Sequence, residues 1–520
     1  MRATLFILWM LVTYSVSAQT GWSRQDKRDF DDADFAYYQE DYAFAFELLD
    51  PIFAKDSTYA PLNLRYAVCL IELGKDRDQA RNLLAEAVEA GEVEALFHYA
   101  RALHLHSEFD KALEYFTRYN QNTRKEMTPA QVERQVAMVK RARKMVAVPV
   151  DVEVYNAGPG VNTEWPEYVP LITADNETLY FTSRRPGSTA GLKDPNGAWF
   201  EDIYVSQKED GEWLQASNVG QPINTETHDA TVSISADGNT MIIYRTNRNL
   251  TGGDLYISEN KRGSWTKPSK LDKRINSEYQ EASASISSDG STLYFSSNRP
   301  GGFGGKDLYR VKRLPNGEWS LPKNMGPNIN TPFDEDAPFI DIDNNNLYFA
   351  SNGHETMGGY DLFRSEDMGG EIWTTPENLG YPVNTVEDDI YLSIDAGGKR
   401  GYYSSTKSNG FGGLDVYHVE FIYRQNKNMV VKGEVINASG EAIKASITVI
   451  DEFTNEIQGV YNTNESTGKY IFVLHPLTPY RAIIEAEGYK SQDDELYFGI
   501  RDEDDFEIDL TPFILSNDKP

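Results

Sequence analysis

One cysteine in 520 residues, Cys69, removes any intramolecular disulfide, and its distance from the N-terminus removes a lipid-anchored N-terminal cysteine. It stands among Ala67, Val68, Leu70 and Ile71, where a thiol behaves as a small buried hydrophobe. Basic residues are scarce: 50 Lys and Arg face 80 Asp and Glu, for a formal charge of -30. Phosphate binding needs clustered cations, so neither a nucleic-acid surface nor adhesion to anionic lipid is expected. Beyond the first residues no run approaches the roughly 18 to 20 apolar residues of a spanning helix, so no transmembrane segment is expected. There is no Gly-x-Ser-x-Gly elbow and no His-Glu-x-x-His. Of the seven histidines, His98, His104 and His106 are closest in sequence, but helical spacing sends His104 and His106 to different faces. The run from Pro300 to Lys306, PGGFGGK, lacks the leading glycine of a phosphate loop and has Asp307 in place of its hydroxyl, so a turn is expected there. No cofactor and no resident metal are expected.

What is present begins with a leader: Arg2, an apolar run from Leu5 to Val12, then Val16-Ser17-Ala18 with small residues placed for cleavage. Residues 1–18 therefore read as a signal peptide, and the mature chain is expected to leave the cytoplasm. Residues 19–148 are helical in pattern, with apolar residues at three and four spacing. Three segments repeat, and their small residues Ala45, Ala80 and Ala112 lie 35 and 32 apart, near the 34-residue tetratricopeptide period. Three to four helix pairs are expected, the last helix starting at Thr128-Pro129, a hydroxyl cap followed by proline in the first turn.

From Asn162 to Val419 one sentence of sequence is written five times, beginning at Asn162, Asn224, Asn276, Asn330 and Asn384. Asp202, Asp254, Asp307, Asp361 and Asp415 repeat with it. A period of this length with four short strands per unit predicts a five-bladed β-propeller over 149–424. The fifth copy lacks its outer strand, while DVEVYNAGPGVN from Asp151 stands in the matching register at the front, so the N-terminal strand is expected to close the ring. The first copy carries about nine extra residues, STAGLKDPNGAWF, which end in Trp199 and Phe200, the expected partner-contact residues. An acid follows each repeat asparagine by five: Glu167, Asp229, Glu281, Glu335 and Asp389. As a ring around the channel these carboxylates would suit a hard cation such as calcium or a basic side chain. An acid repeated in every copy is also what a repeat-internal hydrogen bond requires, with Arg185, Arg248, Arg299 and Lys407 as candidate partners and Gly353 breaking the set.

Residues 428–511 change to short strands without the repeat, predicting a small antiparallel β-sandwich, and 512–520 form a tail. The fold class is thus multidomain, α followed by all-β. SxDGxxLYFxSxRxGGxGxxDLY resembles the TolB-type propeller repeat, and GEVINASGEAIKASITVID with TGKYIFVL and EAEGY resembles the carboxypeptidase-regulatory-like domain. In this order the modules resemble the PorE-like envelope proteins of Bacteroidota. That resemblance implies a periplasmic protein peripheral to the outer membrane, attached to machinery such as the type IX secretion or gliding apparatus through a β-barrel partner. In that family an OmpA-like peptidoglycan-binding domain follows the sandwich. Here the chain stops at IDLTPFILSNDKP, about where that domain would begin, so peptidoglycan binding is not carried over. The expected function is a non-catalytic scaffold or adaptor. The alternative is a glycan-binding or glycoside-hydrolysing propeller, which needs carboxylates in unlike environments rather than a symmetric ring.

Overall fold

The structure is a computed structural model that describes residues 21–194, 197–235, 238–261, 263–369, 372–421, 428–499 and 507–517. The expected signal peptide lies outside the described residues. The chain divides into two compact units, Met1–Lys144 and Met145–Pro520.

Seven helices among the described residues make up the first unit: α1 Arg24–Tyr38, α2 Tyr42–Phe53, α3 Ala60–Glu72, α4 Arg77–Glu89, α5 Val93–Leu105, α6 Phe109–Asn120 and α7 Pro129–Ala147. Their starts are written locally. Ser23 and Asp26 form a capping box on α1, while Asp41 and Asp76 accept backbone N–H bonds at the starts of α2 and α4. At α7 the amide of Gln131 donates to Thr128 Oγ1, and Gln131 Oε1 accepts from the Thr128 amide. The helices pair antiparallel as tetratricopeptide-like hairpins. Ala45, Ala80 and Ala112 are fully buried where helices approach, which is the reason a small residue recurs there. Cys69 lies in the same core, and burial pushes its thiol up to about 12, so it stays protonated and unreactive at neutral pH.

The second unit is β-rich. Five sheets follow one another, each an antiparallel meander. Their innermost strands are Glu167–Ile172, Asp229–Ile234, Ala284–Ile286, Glu335–Ile340 and Asp389–Ile394. These strands stand side by side in that order, and the fifth returns to the first, giving a propeller-like ring. The fifth sheet takes its outer strand from the front of the chain: Val152–Asn156 pairs antiparallel with Tyr417–Phe421. The fifth sheet thereby reaches four strands, with the N-terminal strand as its outer one.

The repeat asparagines explain how the sheets are joined. Asn162 accepts from the Val416 amide and donates to the Val416 carbonyl, both at 2.8 Å. Asn224, Asn276, Asn330 and Asn384 do the same to Ile203, Leu255, Leu308 and Leu362. A side-chain amide offers a donor and an acceptor at the spacing of a peptide group, so each asparagine ties the loop entering one sheet to the third strand of the sheet before it. The Asp202 series sits at the head of each third strand: Asp307 accepts from the amides of Phe303 and Gly304 and from Asn324 Nδ2. The glycine-rich run is therefore a turn wound around a carboxylate.

A pair of four-stranded sheets completes the unit. Val431, Ile447, Val449, Phe472, Ala482 and Ile484 fill the space between them. The expected all-antiparallel arrangement is not what forms, because Glu507–Asp509 and Phe513–Leu515 pair parallel to Met429–Asn437. The second of these, with Phe513 and Leu515 in the core, carries the sandwich into the segment 512–520 expected as a tail. Gln492–Tyr497 pairs in the opposite sheet, so these two strands belong to a different sheet from the strand that precedes them in the chain. This sandwich rests on one end of the ring. Val430, Ile471 and Val473 pack on Ala174, Ile342 and Ala396, which follow the innermost strands of the first, fourth and fifth sheets. Asn428 donates to Asp343 at 2.8 Å, and Lys432 lies 3.4 Å from Glu177.

Candidate functional site

The five acids that follow the repeat asparagines are each fully or almost fully buried. Each is held by the hydroxyl residue four positions earlier. Glu167 accepts from the Thr163 amide at 2.7 Å and its hydroxyl at 2.8 Å, from Ser183 at 2.7 Å, and lies 3.0 Å from Arg185. Asp229, Glu281, Glu335 and Asp389 repeat the pattern with Thr225, Ser277, Thr331 and Thr385. None of the five lines the central cavity. Burial raises Glu167, Asp229 and Glu335 above the usual carboxylate range, and it lifts Asp389 to about 6 against the opposing charge of Lys407.

The basic partner of Asp229 is Arg245, not Arg248. Arg245 lies directly opposite Asp229 in the strand pairing, at the register that serine fills in the other sheets, which leaves Arg248 on the following turn. Gly353 does break the set of cations, and the next residue takes over part of the work. His354 Nε2 bonds the Ile329 carbonyl at 2.8 Å, as the arginines bond Val161, Ile223 and Ile275 and as Lys407 bonds Pro382.

Positions where the repeat breaks are more informative. Immediately before each third strand the sheets carry Glu201, Gly253, Lys306, Tyr360 and Leu414, five different chemistries at one symmetric place. Immediately after each locked acid they carry Tyr168, Ala230, Ala282, Asp336 and Ile390. Architecture demands none of this variety. Sequence periodicity contains the signal, but only as the positions that fail to repeat.

Two clusters form there. Tyr168 donates to Glu201, whose other oxygen lies 3.4 Å from His228 Nδ1, and His228 Nε2 lies 3.2 Å from Asp194. Burial raises Glu201, yet hydrogen bonds from His228 and Tyr168 outweigh it and hold the carboxyl below its usual range. Across the ring, Lys306 Nζ lies 2.7 Å from Asp336, which also accepts from Ser283 and Ser296. Burial again opposes and Lys306 prevails, so Asp336 too is held ionised. The innermost strands of the first, fourth and fifth sheets bulge at this level. Each bulge contains a non-glycine residue with positive φ: Val169 at 51°, Ala337 at 51° and Tyr391 at 64°. Such conformations cost about 1 to 3 kcal/mol apiece and concentrate where side chains are re-aimed for use.

The insertion folds back onto its own ring. Phe200 is 5% exposed and stacks on His228 with centroids 4.2 Å apart. Trp199 is half-buried, bridges to Lys193 and lies under its ammonium at 4.6 Å. The Phe200 ring is therefore used in holding the loop to the second sheet. Burial lowers the pKa of His228, but the hydrogen bond to Glu201 and the charges of Glu201 and Asp194 outweigh it, with Arg184 opposing, and the net shift is upward. A raised folded-state value means the imidazolium contributes stability below its ordinary 6.5, and the contribution is lost as pH rises through the folded value. His228→Gln is thus expected to cost more stability at pH 5 to 6 than at pH 8, measured by denaturant melts at both ends. Equal costs would show that the ring is held by packing on Phe200 alone.

Among the described residues no group of three or more His, Cys, Asp or Glu is placed to hold a metal ion. No described helix is long and apolar enough to cross a membrane.

In the helical unit, the first helix of each pair shares one face. Arg65 on α3 binds Asp34 on α1 at 2.7 Å, donates to the Tyr38 hydroxyl and lies over the Tyr37 ring at 4.9 Å, while Arg101 on α5 pairs with Glu72 on α3 at 2.6 Å. Phe97 and Phe116 are core residues, and of the aromatics in this region Phe35, Tyr38 and Phe44 are the exposed ones, at 70%, 49% and 48%.

Residues 36–103 match the tetratricopeptide repeat family, so this segment is a tetratricopeptide-type array and carries a protein-interaction role. Two groups recur among the similar solved structures. One contains the first tetratricopeptide domain of Spaghetti (RPAP3) bound to an HSP90 peptide, 13% identical over 24% of this chain and 97% of that one, TM-score 0.21. It also contains the Yersinia enterocolitica chaperone SycD with a peptide of the translocator YopD, 16% identical over 24% and 97%, TM-score 0.21. The other includes the α-L-arabinofuranosidase PaAbf62A from Podospora anserina in complex with cellotriose, 13% identical over 51% and 92%, TM-score 0.33. These likenesses are too low for an activity to transfer. No curated protein matches the chain.

Proposed function

We propose that the chain is a non-catalytic periplasmic scaffold peripheral to the outer membrane, binding envelope machinery of the type IX secretion kind through a β-barrel partner. In this reading a tetratricopeptide-like array over 19–148 precedes a five-bladed propeller over 149–424 and a carboxypeptidase-regulatory-like sandwich over 428–511. The observation that carries it is the array itself, matched over 36–103 and presenting Phe35, Tyr38 and Phe44 to solvent beside a face whose arginines are already paired. Exposed aromatics grouped on a rigid helical support are the usual anchors of a protein interface. The five locked acids support the non-catalytic part, because each is tied to an amide and a hydroxyl of its own repeat.

Capture of the tagged full chain from native envelope in mild detergent is expected to retain an outer-membrane protein. Phe35→Ser with Tyr38→Ser is expected to reduce that yield at least roughly tenfold, the scale of losing one interface anchor. Capture that is undiminished in the double variant removes the helical array from the interface, and the absence of any envelope protein removes the scaffold reading. The alternative, a propeller that engages glycans, is favoured by one observation: a cavity on the ring axis that the locked acids do not line.

A further inference from the structure

The innermost strands are unequal in bulk. Those of the first, fourth and fifth sheets read EYVPLI, EDAPFI and DIYLSI, whereas the second and third copies read DATVSI and EASASI. Where the other sheets place Tyr168, Asp336 and Ile390, these two place Ala230 and Ala282, both half-buried. At this position Tyr168, Ala230 and Ala282 face the axis, whereas Asp336 turns to Ser283 and Ser296 and Ile390 packs into the core of the fourth and fifth sheets. The cavity along the axis is about 700 Å³, lined by all five innermost strands and left wide where the two alanines stand.

Its wall is neither a dry core nor a charged funnel. Ser233 and Ser285 bring hydroxyls to a largely apolar lining, while the hydroxyls of Thr231 and Ser283 are turned to Thr182 and the Val169 carbonyl and to Ser296 and Asp336. A void of this size with polar groups in its wall does not stay empty: it holds water that a ligand with matching hydroxyls can replace. At the end of the cavity near the locked acids stand Tyr168 and Tyr391, near-parallel rings 6.2 Å apart, together with Glu201 and Lys306. The opposite end carries Glu259, Asp289 and Asp341 against Arg313, so acids outnumber bases along the lining and an anionic ligand is disfavoured. Aromatic faces for C–H surfaces, hydroxyls and a carboxylate for O–H groups, and a negative field together specify a ligand that is itself polyhydroxylated and uncharged.

We propose that this axial cavity binds a neutral oligosaccharide, its ring faces against Tyr168 and Tyr391 and its hydroxyls against Glu201, Ser233 and Ser285. The site binds rather than hydrolyses. Glycoside hydrolysis needs one carboxyl kept protonated as the acid, and the carboxylate at the Tyr168 end of the cavity, Glu201, is held ionised between Tyr168 and His228. This site deepens the glycan alternative and does not depend on the scaffold reading, since the residues it uses lie outside the helical array.

The test is titration of the full-length chain with maltotriose, xylotriose and tri-N-acetylchitotriose as neutral probes and trigalacturonate as the anionic one, by calorimetry and saturation-transfer NMR. At least one neutral trisaccharide is expected to bind with a Kd of roughly 1 mM or tighter. Ala230→Tyr and Ala282→Tyr each place in one sheet the side chain that the first sheet already carries at the same position, where it lines the cavity, so both are expected to keep the wild-type melting temperature. Both are expected to weaken binding by at least about tenfold, or roughly 1.4 kcal/mol. The proposal is overturned if no neutral trisaccharide binds at millimolar concentration, or if binding survives unchanged in both filled variants. Preferential binding of trigalacturonate or of an oligolysine peptide would equally overturn it. Phe35→Ser with Tyr38→Ser leaves saccharide binding unchanged, which separates failure of this site from failure of partner capture.

Discussion

Glu167→Gln is expected to destabilise the β-rich unit by about 3 to 5 kcal/mol, seen as a lower guanidinium midpoint. Both carboxylate oxygens are in use: one accepts from the Thr163 amide, and the other takes the hydroxyls of Thr163 and Ser183 with Arg185 beside it. An amide at this place turns one of those acceptors into a donor facing donors and leaves a buried guanidinium without its counter-charge. Asp389→Asn is the contrasting variant. There Oδ2 takes both Thr385 donors, while Oδ1 has no hydrogen-bond partner, so an amide fits with its NH2 on the vacant side. Burial has lifted this carboxyl from 3.8 to about 6. For an acid whose folded pKa is raised, ionisation costs stability above the folded value, and the cost fades as pH falls towards the ordinary one. Asp389→Asn is thus expected to be neutral or stabilising at pH 7, by at most about 3 kcal/mol, with no gain near pH 4. Equal losses in both variants would show that the repeat acids are not told apart by their second oxygen.

Asn162→Leu is expected to cost roughly 2 to 4 kcal/mol, because it strands the buried amide and carbonyl of Val416 while keeping side-chain volume. This asparagine acts where the ring meets itself, between the loop entering the first sheet and the third strand of the fifth. Its loss should therefore be felt also in Val152–Asn156, the strand that completes the fifth sheet. Hydrogen exchange is the direct measurement: the amides of Val152–Asn156 and Tyr417–Phe421 should lose protection before those of the third sheet. Uniform loss of protection around the ring would place no special weight on closure.

Much of this architecture was legible because a repeat serves as its own control. Five asparagines, each followed after five residues by an acid, mark five sheets, and the structure shows each doing one local job five times. In the aspartate series Asp254 departs, meeting Lys270 at 2.7 Å where Asp202, Asp307, Asp361 and Asp415 take an asparagine amide. The helical pattern with Ala45, Ala80 and Ala112 marked the hairpins by the same logic, since only a small residue fits where two helices touch. What spacing could not supply is register. Whether Arg245 or Arg248 faces Asp229 depends on which residue stands opposite in the neighbouring strand, and strand length sets that rather than distance along the chain. The parallel strands Glu507–Asp509 and Phe513–Leu515 were equally hidden, since nothing local in a short strand encodes which sheet it joins.

The cavity was written in the sequence but in an unexpected form. Attention goes naturally to charged or aromatic residues, whereas here the informative residues are Ala230 and Ala282, which are small where their counterparts are large. Likewise Trp199 and Phe200 drew notice as aromatics in an insertion, yet Phe200 is spent on stacking against His228. In a symmetric ring the unrepeated positions carry the distinguishing chemistry, and at one end of the cavity these are Glu201, Lys306 and Tyr168.

In the proposed reading, repeated positions build a closed platform and the helical array carries the partner. Photo-crosslinking in the native envelope, with a crosslinker placed in turn at Phe35, at Tyr38 and at the exposed Leu321 of the third sheet, tests it most directly. An outer-membrane protein joined to the chain through Phe35 or Tyr38, and not through Leu321, is the predicted result. Crosslinks to an envelope partner only through Leu321 would contradict the account.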